Sequence, residues 1–197
     1  VQYFFSTFSK MNCISWDGKF ASIKTVPIPT NIPPGHILVP VCAFSIGSLD
    51  VEDVFHSYRY SSHRKRGLGS DFSGVVKSVG VDCARFSAGD EVVGVVLNFC
   101  SESTSSEYIV VSESLCTRKP TNLSHAEVVS VLFDGLLAER ALRIVKAVDT
   151  DSVLISGGAT NLARVLMQLA KSSMFGIEWI ACTVKSEDRT YAESVGS

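Results

Sequence analysis

Gly69-Ser70-Asp71-Phe72-Ser73-Gly74-Val75-Val76-Lys77-Ser78-Val79-Gly80 is followed, after a short gap, by Phe86-Ser87-Ala88-Gly89-Asp90-Glu91-Val92-Val93-Gly94. Glycines at these intervals mark positions that need positive φ or a close backbone approach, and the Val-rich stretches between them read as short strands. Phe72 to Ser78 and Glu91 to Val96 are two such strands. Before them, Phe20 to Val26 and Ile37 to Cys42 alternate or run with β-branched residues. Pro27-Ile28-Pro29 and Ile32-Pro33-Pro34-Gly35 punctuate the interval. Tyr108 to Val111 supplies a further strand, and Asp50 to Phe55 reads as a short helix capped by Ser48 or Asp50. Many short strands joined by Gly/Pro turns predict a barrel-like antiparallel fold.

The pattern changes near Lys119-Pro120. Ser124-His125-Ala126-Glu127 has the form of a capping box, with Ser124 as N-cap and Glu127 at the third helical position. An apolar helical stretch follows to about Val145. Ser152 to Ser156 reads as a buried strand, Gly157-Gly158 as a turn, Thr160 to Ser173 as a helix and Glu178 to Val184 as a strand. That is one βαβ unit, the opening of a parallel doubly wound sheet. The boundary divides the chain into residues 1–119 and 120–197.

Composition narrows the function. The chain of 197 residues is 46% hydrophobic and 19% charged, with formal net charge −2, which is globular and carries no electrostatic footprint for nucleic acid. The one basic run, His63-Arg64-Lys65-Arg66, is short and reads as a solvated loop. No stretch is long and apolar enough to span a bilayer. The first residue is Val1, and Val1 to Phe8 lacks the basic flank of a signal peptide, so it reads as an N-terminal strand or extension. Cysteines at positions 13, 42, 83, 100, 116 and 182 show no C-x-x-C spacing, and no His completes a zinc set. Reduced thiols in a cytoplasmic compartment are the expectation. His36, His56, His63 and His125 are scattered and read as surface or loop residues.

The segment Val153-Leu154-Ile155-Ser156-Gly157-Gly158-Ala159-Thr160-Asn161-Leu162-Ala163 lies between a strand and a helix, where a phosphate loop belongs. Small residues there let the backbone approach a pyrophosphate, and the helix N-terminus presents free amides to it. Gly157, Gly158, Ala159, Thr160, Asn161 and Leu162 are the candidates for that contact. The tip of the next strand, Cys182-Thr183-Val184-Lys185-Ser186, carries no acid to hold the ribose hydroxyls of NAD. Thr183, Lys185, Ser186 and Arg189 could line the adenosine end, and Lys185, Ser186 and Arg189 could hold a 2′-phosphate, which favours NADPH over NADH. The alternative at those positions is an ordinary solvated charged loop.

The two glycine-rich runs resemble the catalytic-domain signature of the medium-chain dehydrogenase/reductase superfamily. Asp90-Glu91-Val92-Val93-Gly94, Lys119-Pro120, Asp134-Gly135 with Ala141-Leu142, Gln168-Leu169-Ala170 and Ala181-Cys182 with Glu187-Asp188 are similar to its zinc-free quinone oxidoreductase (zeta-crystallin-like) branch. The resemblance spans about Ala21 to the end of the chain. It implies a GroES-like β-barrel domain followed by a partial, truncated Rossmann domain, because the chain stops at Val195-Gly196-Ser197 just after the second Rossmann strand.

The resemblance also sets expectations for chemistry. The superfamily's G-x-x-G-x-x-G positions are here Gly157, Thr160 and Ala163. Thr160 departs from it: its Cβ should crowd a pyrophosphate, and a β-branched residue resists positive φ. Zinc-dependent members carry Cys and His where this chain has Gly47 and Ser70, so no metal is expected. Hydride transfer without a Lewis acid favours a quinone or an α,β-unsaturated carbonyl as substrate. Active quinone reductases often carry Asn-Pro and a Tyr where this chain has Gly47-Ser48 and Glu52, and a Thr where it has Leu137. No catalytic proton donor is assigned, and bulk water could serve. The second reading of the same departures, with the early stop, is a catalytically inactive subunit of a protein assembly.

Overall fold

The structure is a computed structural model that describes residues 9–16, 20–47, 50, 66–96 and 104–195. It divides into two compact units, Val1–Ser130 and Val131–Ser197.

The first unit is antiparallel. Strands β1 (Lys10–Trp16) and β2 (Ala21–Pro27) form a hairpin with Lys10 opposite Pro27 and Trp16 opposite Ala21. The short strand β4 (Arg66–Gly67) pairs with the other edge of β1. The sequence pattern places a strand at Val1–Phe8, outside the described residues, and misses β1 itself.

Strand β3 (His36–Phe44) is the spine of a six-stranded sheet. Its first half pairs with β6 (Ser78–Val79) and with β8 (Tyr108–Ser112). Its second half, beyond a bulge between Val41 and Ala43, pairs with β5 (Asp71–Val75). Strand β7 (Glu91–Val95) follows on β5, and β9 (Cys116–Arg118) on β7. The glycines of the two quoted runs serve two needs. Gly89 turns at φ 95°, whereas a Cβ on Gly74 would lie 2.2 Å from the Pro40 carbonyl oxygen of the neighbouring strand. The β-branched residues of these strands meet around Phe72, whose ring is fully buried among Ile37, Val39, Val92 and Val111. Each such side chain contributes about 1.5–3 kcal/mol by leaving water.

Helix α1 (His125–Ile144) starts in the first unit and ends in the second. Its start is the capping box read from the sequence: Ser124 N–H donates to Glu127 Oε2 at 2.8 Å and Glu127 N–H to Ser124 Oγ at 3.2 Å. The second unit continues with β10 (Ser152–Ser156), α2 (Asn161–Lys171), β11 (Trp179–Thr183) and α3 (Arg189–Val195). Strands β10 and β11 are parallel, in register from Ser152 opposite Trp179 to Ser156 opposite Thr183. Ala163, Met167 and Ala170 recur on one face of α2 and are buried in a core with Ile155, Ile177 and Ile180. The predicted helix Asp50 to Phe55 falls almost wholly outside the described residues.

Candidate functional site

The loop between β10 and α2 is built by two adjacent glycines with different tasks. Gly157 sits at φ 80°, the left-handed region that favours glycine. A Cβ on Gly158 would lie 2.5 Å from Cys182 Sγ and 3.1 Å from Val184 Cγ1, so the loop can lie this close to the β11 end only without a side chain. The pair is fastened to β11 by two bonds. Gly157 N–H donates to Thr183 Oγ1 at 3.2 Å, and Gly158 N–H to the Thr183 carbonyl at 2.9 Å.

Thr160 does not strain the loop as its sequence position suggests. Its backbone is extended, at φ −77° and ψ 155°, and it is the N-cap of α2, so the position requires no positive φ. Its hydroxyl accepts from Ala163 N–H at 3.2 Å and lies 3.1 Å from the Gly157 carbonyl, to which it donates. Among the described residues no acceptor is found for the N–H groups of Ala159, Asn161 and Leu162. Helix amides left in this state form an anion-binding end.

The remaining candidates follow β11. Lys185 and Ser186 lead into a 3₁₀ turn at Ser186–Asp188, and Arg189 opens α3. Lys185 Nζ stands 3.7 Å from Glu187 Oε1, and Arg189 Nε donates to Glu193 Oε1 at 2.8 Å. That bond to Glu193 holds the guanidinium protonated above its ordinary range. All four side chains are exposed.

The barrel unit holds a polar array that sequence reading missed. Ser73 Oγ lies 2.6 Å from His125 Nδ1. His125 Nε2 lies 3.4 Å from Glu91 Oε1, and Glu91 Oε2 lies 3.2 Å from Lys119 Nζ. The buried Lys119 ammonium also donates to the carbonyls of Pro120 and Leu123, at 3.0 and 2.6 Å. His125 is therefore neither a loop residue nor loose on the surface. The order serine, histidine, carboxylate matches a hydrolytic triad, but Ser73 is fully buried within β5 and its hydroxyl bonds the Val92 carbonyl, so no substrate carbonyl can reach it. The array fastens the start of α1 to the sheet.

Asp50, which follows the position where zinc enzymes carry a ligand, instead accepts from the backbone N–H groups of Gly47 at 2.8 Å and Gly69 at 2.9 Å. Asp71 accepts from Ser45 Oγ at 2.5 Å. Among the described residues no three His, Cys, Asp or Glu side chains converge in a metal-binding group. Ser48 and Glu52 lie outside the described residues.

An antiparallel β-barrel unit followed by a β-loop-α-β nucleotide-type unit is the architecture of a two-domain dehydrogenase. The profile of the alcohol dehydrogenase GroES-like domain matches residues 33–142, and the chain belongs to that family, within the quinone oxidoreductase-like medium-chain dehydrogenases/reductases. It is 30% identical over 204 residues to "Reticulon-4-interacting protein 1, mitochondrial" of Caenorhabditis elegans, covering 93% of this chain and 55% of that protein. It is 29% identical over 168 residues to "NAD(P)H oxidoreductase RTN4IP1, mitochondrial" of Bos taurus, covering 76% of this chain and 42% of that protein. Its fold matches the quinone oxidoreductase from Coxiella burnetii with a TM-score of 0.82 at 26% identity, covering 96% of this chain and 61% of that one. The chain thus spans about half the length of these relatives. No helix among the described residues is long and apolar enough to cross a membrane.

Proposed function

We propose that this chain carries the nucleotide-binding loop of an NADPH-dependent oxidoreductase that reduces a quinone or an α,β-unsaturated carbonyl. The observation that carries the reading is the loop itself. Gly158 lets the loop lie tight against the end of β11, and the amides of Ala159, Asn161 and Leu162 have no acceptor among the described residues. The relatives named as quinone or NAD(P)H oxidoreductases support the same class.

A bound nicotinamide would supply the hydride. The residues of this chain would do the holding. The backbone N–H groups of Ala159, Asn161 and Leu162 would receive the pyrophosphate at the positive end of α2, on a loop whose shape is set by Gly157, Gly158 and Thr160, whose own N–H groups are bonded within the chain. Thr183 would keep Gly157 in place from β11, and Lys185, Ser186 and Arg189 would receive a 2′-phosphate. A quinone or enone needs only hydrogen bonds at its oxygen to accept a hydride. The second hydrogen would arrive as a proton from water.

The test is calorimetric titration of the chain with NADPH and NADH, followed by NADPH oxidation in the presence of a benzoquinone. NADPH binding with turnover supports the proposal in full. Binding without turnover leaves a nucleotide-holding subunit, and no binding by the folded chain removes the reading.

A further inference from the structure

Each anion-receiving part of the nucleotide site is partly engaged by groups of the chain, while the amides of Ala159, Asn161 and Leu162 stay without an acceptor among the described residues. At the loop, Thr160 Oγ1 accepts from Ala163 N–H at 3.2 Å while donating to the Gly157 carbonyl at 3.1 Å. An oxygen is thereby held at one of the first amides of α2, in the manner of an anion's oxygen at a helix N-terminus. At the end of β11, Glu187 stands 3.7 Å from Lys185, and Glu193 stands 2.8 Å from Arg189. A carboxylate and a phosphate compete for the same N–H donors of Lys and Arg.

We propose that Thr160, Glu187 and Glu193 are internal surrogates for the nucleotide's phosphates and set its affinity, Thr160 opposing the pyrophosphate and the two glutamates opposing a 2′-phosphate. The inference rests on the nucleotide-site reading given above. The two parts are separable by ligand. Every dinucleotide carries the pyrophosphate, so Thr160 acts on NADH and NADPH alike. Only NADPH and adenosine 2′,5′-bisphosphate carry the 2′-phosphate, so the glutamates act on these two and not on NADH. Thr160 is a neutral hydroxyl, so its effect is independent of salt. The glutamate pairs are exposed, so their effect fades as salt screens them.

The experiment is isothermal calorimetry of the chain with NADPH, NADH and adenosine 2′,5′-bisphosphate. The variants are Thr160→Gly, Thr160→Ser, Glu187→Gln and Glu193→Gln. Glycine at an N-cap costs only a few tenths of a kcal/mol, and circular dichroism checks that each variant is folded. Thr160→Gly is expected to tighten NADH and NADPH equally, by about three- to tenfold, the worth of freeing one hydrogen-bond donor. Thr160→Ser keeps the hydroxyl and should bind like the wild type; a gain equal to that of Thr160→Gly would show that the methyl group crowds the site and would overturn the hydroxyl's role. Each glutamate change is expected to tighten NADPH and the bisphosphate by about two- to fivefold at low salt, with NADH unchanged. Wild-type binding with no gain in any variant, or equal gains for NADH and NADPH in the glutamate variants, overturns the inference while leaving the nucleotide site standing. Absence of binding in every folded protein removes the site and the inference together.

Discussion

Ser73 Oγ lies 2.6 Å from His125 Nδ1, joining the middle of β5 to the first residue of α1 across 52 positions of chain. The bond is the inner end of a chain of polar contacts through Glu91 to the buried Lys119. Ser73 retains the Val92 carbonyl as a second partner, at 3.2 Å, so loss of His125 does not orphan the hydroxyl. Ser73→Ala and His125→Gln should therefore each lower stability by about 0.5–1.5 kcal/mol in urea unfolding. Because the two residues touch, the double mutant should lose less than the sum, with a coupling energy of about 0.5–1.5 kcal/mol. A coupling of zero would show that the bond contributes nothing in solution.

Phe72 should be the most sensitive single position of the barrel unit. Its ring is fully buried, and a Cβ on Gly94 of the facing strand would lie 2.7 Å from it, so little room exists for collapse. Phe72→Ala should cost about 3–5 kcal/mol, the range for deleting a buried aromatic ring. Equilibrium denaturation reads it, and a loss under 1 kcal/mol would mean that the ring is not enclosed.

The cysteines should separate sharply by reactivity. Burial pushes the Cys116 thiol up to about 12, against the opposing pull of the Arg85 charge. Its thiolate is negligible at pH 8, and the thiolate is the reacting form. Cys42 is exposed on β3. Maleimide labelling of the native chain at pH 8, followed by peptide mass spectrometry, should mark Cys42 within minutes and Cys116 only after unfolding. Equal labelling of the two in the folded chain would contradict the buried setting of Cys116.

Two carboxylates should shape the acid limb of stability. The Arg118 guanidinium, with the Ser87 amide, holds Asp90 below its ordinary range, and Ser124 does the same for Glu127 through its side chain and its amide. A depressed folded value means that the unfolded chain takes up protons first. Each group thus adds stability above about pH 4, the ordinary carboxylate range, and loses it as pH falls through the folded value. Asp90→Asn and Glu127→Gln should each lower the urea midpoint at pH 7 and converge on the wild type near pH 2. Midpoints that differ by the same amount at both pH values would assign the loss to packing.

The sequence revealed elements whose signals are local. The capping box at Ser124 and Glu127, strand β10 and helix α2 are carried by neighbours three or four positions apart or by a short apolar run, and they stand where the residues place them. Strand β1 was hidden because Asn12 and Ser15 interrupt its apolar pattern and its order comes from pairing with β2. Thr160 was legible as a departure from glycine but not as an N-cap, since a cap is defined by backbone geometry. The Ser73–His125–Glu91 array could not be read at all, because the pairing of β5 with β7 brings Ser73 near Glu91, and His125 reaches them only through the placement of the start of α1.

Gly157 and Gly158 should fail for opposite reasons when replaced, and that contrast tests the loop. Gly157 needs its left-handed φ of 80° but has open space, with nothing nearer a new Cβ than Thr160 Cγ2 at 3.9 Å. Asparagine tolerates that conformation, so Gly157→Asn should keep the loop in place, whereas Gly157→Val should cost about 1–2 kcal/mol in backbone strain. Gly158 has no such φ; its obstacle is Cys182, whose Sγ and Cβ lie 2.5 and 2.6 Å from the added atom. Gly158→Ala must push the loop off β11, breaking the bond from Gly158 N–H to the Thr183 carbonyl, at a cost of about 1–3 kcal/mol for overpacking. Cys182→Ala should not rescue it, because the Cβ remains. Cys182→Gly in the Gly158→Ala background should recover part of the loss, since the nearest remaining atom is then Val184 Cγ1 at 3.1 Å. Thermal unfolding of the single and double variants reads the series, and a Gly158→Ala chain as stable as the wild type would show that β11 does not lie under the loop.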